Sequence, residues 1–391
     1  MAALLGGAPP GMGEFPLFGG PLIGLGRRLG LVRGTTNSVP LGVALGALLW
    51  IVLAVLATSE GLGPKLFSLS VIGVHVRLLV AIPLFFVCET VLSPRMSTFG
   101  RELVTTQVVP AAELGVLETT IARLTRWQDS WLPEALCLLA AVLASVFADR
   151  LNLMGTTAAL DASRTGQTVW TIQWFALVCL TVFRFLLLRW LLRILLWAGF
   201  LFRLGRMALH LVPTHPDGVG GLGYLEVVHS HFATLIFALS AVQSASMAEE
   251  VASGRLRFED IYPGLAFSLV AVAVLFLAPM YLLAARLKEC RVQGLADYMG
   301  FATRYVSEFD KKWIARGSAT TGDVLGTSDL QSLADLSNSV RVVREMTLVP
   351  LTQRLLWLFG LSTVAPMLPL LLLKYPLAEL AAKFLARLSG L

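Results

Sequence analysis

The chain has 391 residues, 56% of them hydrophobic and 14% charged, with a net charge of +6 at pH 7. Soluble domains carry about 25% charged residues, so this balance excludes an ordinary water-soluble fold and points to a membrane protein. The positive charge is not that of a nucleic-acid binder, because Lys and Arg gather in the segments between apolar runs, as the positive-inside rule collects them.

Seven apolar runs follow one another, at 41–58, 74–92, 132–148, 169–202, 227–247, 265–285 and 355–373. A run of about 18 or more residues spans a hydrocarbon core about 30 Å thick. The expected fold is all-α: a polytopic protein of seven transmembrane helices, with the N-terminus cytoplasmic and the C-terminus outside. The orientation follows from Arg95, Arg101, Arg123, Arg126, Arg203, Arg206 and a dense basic set from Arg286 to Arg344. The expected organisation is a Gly/Pro-rich cytoplasmic tail (1–39), a six-helix region (40–286), a cytoplasmic helical segment (287–350), and a seventh helix with an amphipathic tail (351–391).

In chain order, the second run carries His75 and Arg77 near its outer end and Glu89 near its inner end, with Pro83 between them. Trp127 and Trp131 mark the entry to the third run, as amphipathic rings do at headgroup level. The fourth run has 34 residues, or about 51 Å of helix, and is expected to project beyond the bilayer. Arg184 then lies about 22 Å in from its outer end, with Glu89 its partner by depth, while Arg189 and Arg193 sit near the inner interface and snorkel. The fifth and sixth runs are joined by an outer loop, 248–262, that holds Glu249 and Glu250. In the segment before the seventh run, Thr327, Ser328 and Asp329 offer a helix cap, followed by Leu330, Leu333, Leu336, Val340 and Val343 at helical spacing. In the tail, Leu377, Leu380, Phe384, Leu388 and Leu391 form an amphipathic stripe.

Two constellations stand out. Arg184, Arg77, Glu89 and Glu134 lie at membrane depth, where an ionisable residue costs at least a few kcal/mol; they read as an ion pathway or as a buried ion pair. His210, Pro213, Thr214, His215, Pro216, Asp217, Gly218, Gly220 and Gly221 form a dense turn after the fourth run, with His229 and His231 beyond it. His215, Asp217, His210 and His229 are the side chains that could hold a divalent transition metal. The bland alternative is a rigid turn built by the prolines and glycines and capped by Thr214 and Asp217. The four cysteines, Cys88, Cys137, Cys179 and Cys290, show neither metal-ligand nor disulfide spacing.

The stretch Thr-His-Pro-Asp-Gly-Val-Gly-Gly-Leu at 214–222, with Gly-Thr-Ser-Asp-Leu-Gln-Ser-Leu-Ala-Asp-Leu at 326–336, resembles a pattern in uncharacterised bacterial integral membrane proteins. That resemblance implies a multi-pass protein of the bacterial cytoplasmic membrane and brings no activity with it. Three functions are open at this point. The first is a channel or transporter for an ion or small solute, in the form of a homo-oligomer. The second is a scaffold or accessory subunit with a membrane-complex partner. The third is a metal-dependent membrane enzyme. A water-filled path past Arg184 and Glu89 favours transport; a closed, ion-paired interior favours the scaffold.

Overall fold

The computed structural model describes residues 19–32, 37–147, 170–315 and 328–374, and these are overwhelmingly helical. A short α1 (Pro21–Arg28) precedes α2 (Val39–Ser59), α3 (Leu69–Thr105), α4 (Ala111–Asp129), α5 (Trp131–Val146) and α6 (Trp170–Leu204). There follow α7 (Tyr224–Ala252), α8 (Phe258–Ile314), α9 (Ser328–Glu345) and α10 (Gln353–Val364), which continues through a 3₁₀ stretch at Ala365–Leu370. The expected amphipathic tail and Thr327 lie outside the described residues.

Five of these helices, α2, α3, α6, α7 and α8, are long and apolar enough to cross a membrane. A sixth crossing arises if α4 and α5, bent by 47° at Ser130, count as one. The third apolar run yields a helix of only 16 residues, about 24 Å, which explains why it needs its neighbour to make a span. The last run loses α-helical geometry at Pro366 and Pro369, where missing N–H donors favour a 3₁₀ stretch.

Apolar side chains face outward along these helices. Ile51 and Val55 on α2, Leu136 and Leu139 on α5, and Phe267 and Val270 on α8 are all exposed, as a lipid-facing surface requires. Inside, α2 lies on α3, α5 on α6, and α7 on α3 and α10. Glycines set the closest approach: a Cβ on Gly46 of α2 would stand 2.2 Å from the Leu78 carbonyl oxygen of α3. An aromatic chain ties five helices together, running Phe99, Trp197, His229, Phe232, Phe276 and Phe359 in successive ring contacts, with Phe200 stacked on Trp197 beside it.

The sixth apolar run does not end at the membrane surface. It continues as α8, 57 residues long. Pro279 starts a 3₁₀ stretch, Ala278–Leu283, and regular α-helix resumes over Ala284–Phe309. Helix α9 folds back antiparallel on this distal half: Arg291 bonds the Arg344 carbonyl near one end, and Lys312 pairs with Asp329 near the other. The expected separate segment 287–350 is thus a helical hairpin whose first arm is continuous with an apolar helix.

Candidate functional site

The first polar centre is a buried four-membered charge network. Arg189 and Arg193 sit one turn apart on α6, so both project from the same face. Glu89 on α3 accepts from both, at 3.3 Å from Arg189 and 2.8 Å from Arg193. Arg189 Nε also donates to Glu134 of α5 at 2.8 Å. Glu89, Arg189 and Arg193 are 2%, 3% and 5% exposed, so charges expected to snorkel at the surface are sealed inside the bundle. The network extends to the N-terminal segment: Arg189 donates to the Gly19 carbonyl, and the Leu22 N–H donates to Glu134. A stretch expected to be a loose tail therefore contributes α1 as a plug on this centre.

The partnership expected for Glu89 with Arg184 is replaced. Arg184 donates to Ser145 Oγ at 2.8 Å and to the Ala144 carbonyl, and Thr181 donates to the same serine. The reason is angular: five residues separate Arg184 from Arg189, about 140° around the helix, so equal depth does not give a shared face.

The second centre lies toward the other end of the bundle. Glu249 on α7 accepts the Gly73 N–H at 2.6 Å, and Arg77 donates to Ser246 at 2.7 Å. A Cβ on Gly73 would fall within 3 Å of both Arg77 Nη1 and Glu249, so the glycine leaves the space that these two charged groups border. Glu249, expected in an outer loop, is 2% exposed because α7 runs on to Ala252. Nearby in sequence, His75 keeps Nε2 without a hydrogen-bond partner among the described residues and packs edge-on to Trp50.

The third centre is the turn at 210–223. Asp217 is its hub. Its carboxylate accepts from the N–H groups of Val219 at 2.9 Å, Gly221 at 3.0 Å and Gly223 at 2.8 Å, and His215 Nδ1 lies 2.8 Å away. Burial pushes the Asp217 pKa up, but those N–H donors and His215 outweigh it and hold the carboxyl below its usual range. Gly218, Gly220 and Gly221 have φ of 67°, 68° and 99°, a region in which a Cβ is strained. The turn is bonded outward on three sides. The His210 N–H reaches the Val108 carbonyl, just past the end of α3, at 2.8 Å, and the Thr347 N–H reaches the Gly218 carbonyl at 2.9 Å. Thr214 bonds Tyr298 of the hairpin. Pro213 rests against Gly294, where a Cβ would meet the ring at 2.6 Å.

This geometry ties the turn together through its own backbone. The metal set that the sequence offered as an alternative to a structural turn is not assembled: among the described residues, no three His, Cys, Asp or Glu side chains converge as ligands. Asp217 spends its oxygens on backbone N–H groups. His210 engages through its backbone, and its side chain is exposed. His229 is buried in the aromatic chain, where its Nε2 accepts from Trp197 Nε1–H at 3.1 Å. Its Nδ1 must then carry the proton and donate to the Phe276 carbonyl at 2.9 Å. Both nitrogens are committed, which leaves none for a metal.

Sequence reasoning missed Arg189, Arg193, Glu249 and the Ser145–Thr181 pair as members of polar centres. The one-turn spacing of Arg189 and Arg193 was the available signal. No family model, curated protein or solved structure matches the chain.

Proposed function

We propose that the protein is a multi-pass membrane anchor that holds the α8–α9 hairpin rigidly for a partner, as a scaffold or accessory subunit. The observation that carries this reading is the hairpin's attachment. Its first arm is continuous with an apolar helix, and the Asp217 turn clamps that arm through Gly294 and Tyr298 and holds the segment that follows the second arm through Thr347. Such bracing gives a fixed angle rather than a flexible tether. The hairpin also presents Val292, Met299 and Phe301 to solvent, at 59%, 44% and 52% exposure, and exposed apolar side chains off the membrane mark contact surfaces.

The topology that accompanies this reading has seven crossings, with α4–α5 as the third and α10 as the seventh. The hairpin and N-terminus are cytoplasmic, and the C-terminus is outside. Arg95 and Arg101 lie toward the end of α3, and Arg203 and Arg206 at and just past the end of α6, the ends that adjoin the Asp217 turn, which supports that orientation. The resemblance of the 214–222 stretch to uncharacterised bacterial membrane proteins goes with a bacterial inner-membrane location.

Transport is the second reading. It is favoured by the Arg77–Glu249 centre and by π-helical turns at Val76–Ala81, Trp174–Cys179 and Ala273–Leu277, a geometry frequent at functional sites. One comparison separates the two. Full-length protein is cross-linked in its native membrane and purified in mild detergent, beside Met299→Asp and Phe301→Asp. The anchor reading expects a stoichiometric partner on the wild type that both variants lose at unchanged thermal midpoint. Equal partner recovery in all three, with ion flux in proteoliposomes that Arg77→Gln abolishes, would replace it with transport.

A further inference from the structure

A cleft of about 440 Å³ beside Pro213 belongs to the hairpin clamp, but a second cleft, of about 390 Å³, belongs to none of the three centres. It lies between α4 and the end of α6. Arg123, Arg203 and Arg206 line it with Glu113 and Thr120. Among the described residues, no carboxylate forms an ion pair with any of these three arginines. Three arginines therefore line one concave space with a single carboxylate, an arrangement that repels cations and stays electrostatically unbalanced until an anion enters.

We propose that this cleft binds a phosphate group, as carried by an anionic phospholipid headgroup or by a soluble phosphate. Guanidinium forks match phosphate oxygens in pairs, and the cleft volume falls within the ordinary range for small-ligand sites. The C-terminal carbonyls of α6 would oppose an anion, but Arg286 already covers two carbonyls at that end, donating to the Gly205 and Arg206 oxygens. On the topology proposed above, the site also stands at bilayer-surface depth. The apolar helix α6 ends at Leu204, Arg206 lies 4.2 Å over the Phe202 ring, and Val116 and Phe202 are 48% and 45% exposed beside it. A headgroup phosphate can sit among the arginines while its chains follow that apolar rim.

The test uses full-length protein in nanodiscs of phosphatidylcholine with and without phosphatidylglycerol, and in lipid-free detergent titrated with inorganic phosphate. Retained phosphatidylglycerol and thermal midpoint are read in each. The expected result is selective retention of phosphatidylglycerol, weakened about fivefold for each of Arg123→Gln and Arg206→Gln and strengthened by Glu113→Gln. A midpoint rise with inorganic phosphate alone, lost in the same arginine variants, would assign the site to soluble phosphate. Because Glu113→Gln acts by a gain, misfolding of an arginine variant does not decide the matter. Equal retention and equal phosphate response in the wild type, the Arg123→Gln/Arg203→Gln/Arg206→Gln variant and Glu113→Gln would overturn the proposal.

Discussion

Glu89 is the carboxylate on which two buried arginines of α6, Arg189 and Arg193, both depend within the bundle. Removing one member of a buried pair costs about 3–5 kcal/mol, since the remaining charge is left uncompensated. Glu89→Gln is therefore expected to lower stability by about that amount in detergent unfolding. Arg184→Gln, which loses bonds to neutral oxygens, is expected to cost less. An equal loss in both would show that the network is not the dominant polar contact. Asp217 gives a pH signature. Its carboxyl titrates below the usual 3.8 in the folded chain, so its stabilisation is complete above that value and is lost as pH falls through the lower folded pKa. Asp217→Asn should thus be less stable than the wild type by roughly 1–3 kcal/mol near neutral pH. The gap measured by thermal unfolding should narrow only in strong acid. A gap that closes already in the mildly acidic range would assign the effect to another group.

At the scale of the elements, glycines decide how closely helices pack. Gly46 of α2 faces the Leu78 carbonyl, and a Cβ there would stand 2.2 Å from backbone, which can yield only if α2 and α3 separate. Gly46→Ala is expected to destabilise by about 1–3 kcal/mol. Gly199 of α6 has open space at the same point, so Gly199→Ala should be stabilising by about 0.5–1 kcal/mol through helix propensity. Thermal unfolding of the two variants side by side checks the contrast, and a shift of the same sign in both would refute the packing argument. Helix ends follow chemistry as well: Glu60, at the end of α2, accepts the N–H groups of Trp170 and Thr171 and so caps α6 from a distant part of the chain.

For the whole molecule, the bundle and the hairpin form one braced object. The Asp217 turn touches the end of α3, the first arm of the hairpin and the segment before α10. Loss of the turn's left-handed backbone at Gly220 or Gly221 should therefore loosen the hairpin without unfolding the spans. Gly221→Val is expected to speed hydrogen exchange across 284–345 while leaving α2 and α3 protected. Uniform acceleration over the whole chain would mean that the turn stabilises the bundle rather than bracing the hairpin.

Membrane character, helical class and the position of most apolar runs were legible in the residues alone, because hydrophobic length answers to a bilayer of fixed thickness. The turn at 213–223 was legible as a rigid structure for a similar reason: proline and glycine restrict backbone geometry locally. Partnership was not legible. Glu89 meets Arg189 and Arg193 rather than Arg184, and Glu249 lies inside the bundle rather than in a loop. Those outcomes depend on which face each helix turns to its neighbours, and depth along a sequence carries no such information. Only tertiary packing sets that rotation, and with it the charge network, the clamp on the hairpin and the arginine cleft.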